Sequence, residues 1–171
     1  MQNSVMKVAI IGAGPRGLWA SEELMERSRE RGAAIDVTVF DAKPLEESSA
    51  PGAFRDSVPE EFILNAPKSI VETKLGPLDP NDELPGDFPS RKHVGEHLDK
   101  SWRALEGNLP PRCSLTHRVE NIEMVEPTDD GVVVLGEHFD EVLMVTGHAH
   151  DWPGSLAHAD LGDFRVVAPA Y

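Results

Sequence analysis

Three glycines near the start of the chain have a spacing that suits a diphosphate. They are Gly12, Gly14 and Gly17, in the pattern G-x-G-x-x-G. In this pattern the first glycine allows a tight turn, the second lets phosphates approach the backbone, and the third lets a helix pack close to a strand. The helix that follows would offer free N–H groups and the positive end of its dipole to the phosphates. The pattern therefore predicts a dinucleotide site.

The segments around these glycines are the ones that such a site requires. Residues 7–11 form an apolar, β-branched run that predicts a strand buried on both faces. We expect an amphipathic helix over residues 18–31 and a second strand over 36–40, which ends in Asp41. The Asp41 carboxylate can accept hydrogen bonds from ribose hydroxyls. An acid at this position favours a free 2′-hydroxyl over the 2′-phosphate of NADP, which leaves FAD or NAD.

Composition and charge restrict the class of protein. A chain of 171 residues can bury one sizeable core, so we expect a single domain over residues 1–171. The formal net charge of −14 argues against a nucleic-acid or anionic-membrane partner. No apolar run approaches the roughly 20 residues needed to cross a bilayer. The expected partner is a small-molecule dinucleotide, and the sequence leaves the oligomeric state open.

Cys113 is the only cysteine of the chain. An intramolecular disulfide is therefore impossible, which is consistent with the reducing cytoplasm. The amino terminus also lacks the apolar region of a signal peptide, so we expect a cytoplasmic protein. A dithiol redox centre needs two cysteines, which excludes a flavin disulfide reductase.

The rest of the chain alternates between loops and short regular elements. Ser90 is expected to cap a helix that runs to about Leu105 and ends near Gly107. Long loops are expected before that helix, at 42–60 and 74–89. Strands are expected after it, at 114–119, 121–125, 132–135 and 141–145, with a turn at 127–131 and a meander that reaches residue 139.

This order of elements favours an α/β fold. We expect a Rossmann-like FAD/NAD(P)-binding domain, with a central parallel sheet, a helix on each side of it and an inserted small antiparallel β-meander. A plain NAD domain would need more βα units than the chain contains. The element order therefore favours FAD over NAD.

The chain resembles the FAD/NAD(P)-binding flavoproteins of the two-dinucleotide-binding type, and most closely the bacterial proteins called FAD-NAD(P)-binding proteins. The resemblance covers about residues 6–150 and is carried by sequence blocks in the right order. The blocks are 11–17, then Arg55-Asp56 with 64–67, then 88–91 with 95–98, and finally 145–148.

The resemblance implies a role for particular residues. The FAD pyrophosphate would meet a set of five residues, Gly12, Gly14, Pro15, Arg16 and Gly17. Asp41 would meet the adenosine ribose, and the backbone of Val119 would lie against the adenine. Thr146 and Gly147 would turn the last strand beneath the cofactor.

Three further residues are implied with alternatives open. Arg55 and Asn65 would lie near the central or flavin end of the cofactor, and Arg91 would be a phosphate or ribitol contact. The alternative for Arg55 and Arg91, in a very acidic protein, is a surface salt bridge.

The resemblance also implies a broader context. Flavoproteins of this type usually continue for hundreds of residues with a second dinucleotide domain, so we expect this chain to correspond to the N-terminal part of such a protein. It would then serve an NAD(P)H-linked flavin oxidoreductase or monooxygenase. A non-catalytic dinucleotide-binding module or a fragment is the alternative, and no catalytic residue can be identified.

A different enzyme class is suggested by His93, Glu96 and His97. They match the H-x-x-E-H pattern of inverted zinc peptidases, in which the histidines share a helix face and the glutamate is the general base. Because a five-residue pattern recurs by chance, the zinc-dependent hydrolase is the more distant alternative.

Overall fold

The computed structural model describes residues 5–44, 54 and 58–147. Two long helices occur in this part of the chain, α1 (Pro15–Arg31) and α2 (Arg91–Glu106). The strands in chain order are β1 (Met6–Ile11), β2 (Ile35–Asp41), β3 (Glu72–Thr73), β4 (Gly76–Pro77), β5 (Ser114–Val119), β6 (Glu126–Thr128), β7 (Gly131–Val134), β8 (Glu137–Phe139) and β9 (Glu141–Met144).

Four of these strands form the central sheet, in the order β5-β2-β1-β9, and all of its neighbouring pairs are parallel. In β1 the residues Val8, Ala9 and Ile10 are buried. Because β1 lies between two strands and is covered on both faces, it carries the uninterrupted apolar run that the sequence shows. The expected α/β fold with a central parallel sheet is confirmed.

The two faces of the sheet are covered differently. Val8 and Ile10 point to the face covered by both long helices, where they pack with Leu18 of α1 and with Leu98 and Trp102 of α2. In the described part of the chain both long helices lie on one face, so the expectation that they cover opposite sides of the sheet is wrong. The antiparallel sheet β6-β7-β8, here called the meander, covers the opposite face.

The meander can replace a helix because it offers an apolar surface of its own. Val132, Val134 and Phe139 pack there against Ala9, Ile11 and Phe40. The rings of Phe40 and Phe139 meet edge to face, with centroids 5.9 Å apart and planes at 81°. Such pairs add stabilisation beyond the area they bury.

Both long helices form where the sequence predicts them. Ser90 Oγ accepts a hydrogen bond from the backbone N–H of His93 at 3.2 Å, and Gly107 is the residue that ends α2. The first helix starts at Pro15 rather than at residue 18. Proline is favoured in the first helical turn because its fixed φ suits the helix and its missing N–H would have no intrahelical partner.

The meander differs from the expected strand boundaries. Its first strand, β6, covers Glu126–Thr128, so the strand expected over 121–125 is wrong. A tight turn at 129–130 pairs Thr128 with Gly131, and Glu126 pairs with Val133 in the short strand β7. The pairing of β6 with β7 therefore begins at Glu126, and residues 121–125 are not part of it.

The last strand also differs from expectation. The run 141–145 predicts a strand buried on both faces, but Leu143 and Met144 of β9 are 38% and 57% exposed. Within the described residues, β9 pairs only with β1 and forms an edge of the sheet. These side chains are exposed because β9 is an edge strand, and the apolar residues within the strand do not indicate that position.

The loops that precede α2 are irregular, as expected, and hydrogen bonds from side chains stabilise them. Lys68 Nζ donates to Asp79 Oδ2 at 2.8 Å and to the carbonyl of Leu84 at 2.7 Å. The segment 74–89 has turns throughout, except that β4 pairs with β3. Most of the loop expected over 42–60 lies outside the described residues.

The β3–β4 hairpin forms hydrogen bonds with both long helices and an ion pair with α1. Thr73 Oγ1 lies 3.2 Å from Nε2 of the buried His97 and 2.7 Å from Ser101 Oγ, both on α2. The backbone N–H of Lys74 donates to Glu22 Oε1 on α1 at 3.0 Å, and the Lys74 ammonium pairs with Glu26. Burial lowers the pKa of His97, which favours its neutral form in this contact.

We expect His97 to make the folded state sensitive to acid. Because its folded pKa lies below the unfolded value of about 6.5, the unfolded chain takes up a proton that the folded protein resists. The free energy of unfolding should therefore fall as the pH is lowered through about 6.5 towards the folded pKa. Denaturant titrations of wild type and His97→Gln at several pH values measure this, and the variant should show a shallower acid loss. Parallel profiles for the two proteins would contradict the assignment.

Candidate dinucleotide-binding site

The carboxyl ends of the parallel strands meet at one edge of the sheet, and the amino ends of both helices lie at that edge. The first helix, α1, starts directly after β1. The second, α2, leads through a short connection into the amino end of β5, so its carboxyl end lies near the amino edge of the sheet and its amino end near the carboxyl edge. Ligands of open parallel sheets bind at this carboxyl edge.

Gly12 and Gly17 allow a close approach of backbone to backbone. Gly12 has a φ of 116°, and a Cβ placed on it would lie 2.5 Å from the carbonyl oxygen of Val145. A Cβ on Gly17 would lie 2.1 Å from the carbonyl oxygen of Gly12. The chain therefore turns tightly after β1, and the first turn of α1 sits directly on that turn.

The amino end of α1 is open to an anion. Gly14 is the residue before the helix, and no side chain of the described residues caps it. The first turn contains no acidic residue, and the exposed Arg16 adds a positive charge. The first intrahelical bond is donated by the N–H of Leu18 to the carbonyl of Gly14, so the N–H groups of Arg16 and Gly17 precede the helical ladder. This arrangement fits a diphosphate.

Asp41 fastens the glycine turn. Its Oδ2 accepts a hydrogen bond from the N–H of Ala13 at 2.9 Å, and its Oδ1 accepts one from the N–H of Lys43 at 3.0 Å. The sequence predicts only a ribose contact for this residue and does not predict its hydrogen bond to the glycine turn.

Trp102 fastens the turn from the other side. Its side chain is fully buried, and its Nε1 donates to the carbonyl of Ala13 at 3.2 Å. The ring also meets His117 edge to face, with centroids 4.8 Å apart. Helical spacing predicts the inward position of Trp102, but nothing local in the sequence indicates which carbonyl it reaches.

Other predicted residues line the same edge. Val119 ends β5 directly beside Asp41 in the register and is 57% exposed, as a residue facing a ligand would be. The N–H of Val145 donates to the carbonyl of Ile11 at 2.9 Å, which brings the exposed Thr146 and Gly147 next to the end of β1.

The three residues predicted near the central or flavin end of the cofactor lie in different surroundings. Arg91 Nε donates to the carbonyl of Ile63 at 3.3 Å, and its guanidinium lies over the Phe54 ring, 5.8 Å from the centroid. Asn65 is exposed. Arg55 lies outside the described residues.

The zinc hypothesis gains no support from the geometry. His97 Nε2 is directed to Thr73, whereas His93 Nε2 lies 4.0 Å from Glu60 Oε1. Across the described ranges, no three side chains of histidine, cysteine, aspartate or glutamate are grouped as metal ligands. The two imidazoles therefore serve different contacts.

The fold and this edge define a Rossmann-like dinucleotide-binding domain. The model of the FAD-NAD(P)-binding family matches residues 9–149, a range that contains the glycine turn, both helices and β9. The chain belongs to this family. A search of the curated proteins finds no match. Among the described residues, no helix is both long and apolar enough to span a membrane.

We expect Gly17→Ala to disturb the site and the fold together, because its Cβ would overlap the Gly12 carbonyl. Forcing an extra methyl into a packed position typically costs about 1–3 kcal/mol, which corresponds to a loss of several degrees in Tm. Gly107→Ala is the matched control, since its Cβ would lie 3.4 Å from the nearest atom, the carbonyl oxygen of Arg103. Thermal unfolding followed by circular dichroism should separate the two variants. Equal Tm values would argue against close packing at Gly17.

Proposed function

We propose that this chain binds FAD and serves as the cofactor-binding part of an NAD(P)H-linked flavin oxidoreductase or monooxygenase. The observation that carries the proposal is the uncapped amino end of α1, held over the end of β1 by two glycines and flanked by Asp41. A diphosphate there gains the helix dipole and free N–H groups.

The residues of the carboxyl edge take complementary roles in this proposal. The pyrophosphate lies against the glycine turn and the start of α1, which consist of Gly12, Gly14, Pro15, Arg16 and Gly17. Asp41 accepts from the adenosine ribose, and Val119 packs on the adenine. Thr146 and Gly147 support the cofactor from below.

The flavin end is assigned to the segments that precede α2. Asn65 and Arg91 lie in or next to these segments, and Arg55 belongs to the same stretch of sequence. The Arg91 Nε already donates to the Ile63 carbonyl, so the terminal nitrogens of its guanidinium would donate to a phosphate or ribitol.

Two features favour FAD over NAD and NADP. The meander between β5 and β9 occupies the place of a further βα unit, as the element order suggests for a FAD-binding domain. The acid at the end of β2 disfavours a 2′-phosphate. FAD, when bound, supplies the hydride and electron chemistry, and the chain supplies position and electrostatics.

We further propose that the chain corresponds to the N-terminal part of a longer flavoprotein that acts in the cytoplasm. The exposed Leu143 and Met144 on β9 support this, because an apolar sheet edge is usually covered by additional structure. The lone Cys113 suits a reducing compartment.

The first test identifies the bound molecule. Protein purified without added cofactor is denatured, and the released small molecules are analysed by mass spectrometry. We expect FAD together with a flavin absorbance spectrum of the native protein. Release of NAD, or of a metal ion without flavin, would overturn the FAD assignment.

The second test measures the role of Asp41. Asp41→Asn should weaken FAD binding about tenfold, because a charged acceptor for both the ribose and the Ala13 N–H becomes neutral. Asp36→Asn is the matched control, as Asp36 lies in the same strand but near the amino edge, where its Oδ1 accepts from Ser114 Oγ. Calorimetric titration of FAD into cofactor-free protein gives both affinities. Equal loss in both variants would remove Asp41 from the site.

The third test asks whether the bound flavin is used. Under anaerobic conditions, NADH or NADPH should bleach the flavin absorbance of a protein that contains this chain and its natural continuation. If FAD binds but neither nucleotide reduces it, the chain is a non-catalytic dinucleotide-binding module.

A further inference from the structure

A cavity lies between the two long helices, away from the glycine turn. It has a volume of about 310 Å³, which is at the small end of ligand pockets. Its walls come from the later turns of α1 and α2, represented by Met25, Arg29, Ala104 and Leu105. The amino end of α1, where the dinucleotide site begins, does not line it.

The β3–β4 hairpin contributes the remaining wall through Lys74 and Leu75. The hairpin is fixed to α1 and α2 at once, through the contacts of Lys74 with Glu22 and of Thr73 with Ser101. The hairpin therefore closes one side of the cavity while it is bonded to both helices.

Glu22 is the unusual residue of this cavity. It is only 4% exposed and lines the space, yet among the described residues the one hydrogen bond to its carboxyl group comes from the Lys74 N–H to Oε1. Within the described part of the chain, Oε2 has no donor, although a carboxylate oxygen normally accepts bonds of its own. Burial raises the pKa of Glu22, which reflects the cost of holding a charge there without a full set of partners.

The two basic side chains of the cavity already have partners. The Lys74 ammonium pairs with Glu26, and Arg29 Nη2 donates to the carbonyl of Asn108 at 3.0 Å. Met25, Ala104 and Leu105 contribute the apolar part of the walls, beside the polar Ser101 and Asn108. Among the described residues that line this space, Glu22 is the buried carboxylate, and its Oε2 has no donor there.

We propose that this cavity binds a small organic cation, an ammonium or amidinium group on a short apolar body. The cationic group donates to Glu22 Oε2, and the apolar body packs against Met25, Ala104 and Leu105. A buried carboxylate that gains a charged donor recovers the interaction that its burial removed. This site is independent of the dinucleotide site and of the function proposed for it.

The probe for the test is n-butylammonium chloride, with n-butanol as the uncharged analogue. Calorimetry should show binding of the order of millimolar for the amine and much weaker binding for the alcohol. Amide shifts in ¹H–¹⁵N spectra should change at Ala104, Leu105 and Asn108 and leave Gly14 and Arg16 unchanged. Shifts spread over the whole acidic surface would overturn the proposal.

Matched variants identify the residue. Glu22→Gln should weaken amine binding at least about tenfold, whereas Glu23→Gln, which alters an exposed neighbour on the same helix, should change it less than about twofold. A neutral amide suits a position where burial disfavours charge, so the fold of Glu22→Gln should persist and is checked by circular dichroism.

Ala104→Phe, which fills the cavity and keeps the carboxylate, gives an independent test and should also abolish amine binding. Unchanged affinity in either Glu22→Gln or Ala104→Phe would refute the site.

Discussion

The carboxyl edge of this protein depends on one close contact, that of α1 at Gly17 with the backbone carbonyl of Gly12. A side chain on Gly17 would lie 2.1 Å from that carbonyl oxygen, so only glycine lets the helix start directly above the end of β1. This contact fixes both the position and the direction of the helix dipole relative to the strands. The Asp41 carboxylate, the end of β5 and the segment after β9 are all arranged around it.

The glycine turn is held in place before any ligand arrives. Asp41 takes the N–H of Ala13, and Trp102 donates to the carbonyl of the same residue. Polar groups of one peptide segment are thus satisfied from the sheet on one side and from α2 on the other. A turn fixed in this way loses little conformational entropy on binding, which is the physical advantage of a preorganised site.

The second helix, α2, connects the parts of the molecule. Its inward residues complete the core over β1 and β2, and Trp102 reaches the glycine turn. Further along the same helix, His97 and Ser101 hold the β3–β4 hairpin, and Ser101 also lines the cavity beside Glu22. Because α2 takes part in both the dinucleotide edge and this cavity, its capping by Ser90 and its packing on the sheet matter beyond local stability.

The sequence by itself determined the elements whose signals are local. The apolar run of β1, the glycine spacing, the Ser90 cap and the helical spacing of Val94, Leu98 and Trp102 each act within a few residues, and the structure has these elements. Only the tertiary structure decided which face each helix covers, where β6 begins and why β9 is exposed. It also decided the contacts of Asp41 and Trp102 with Ala13, because they join residues 28 and 89 positions apart. Such pairings follow from strand order and packing, and no local pattern of residue types encodes them.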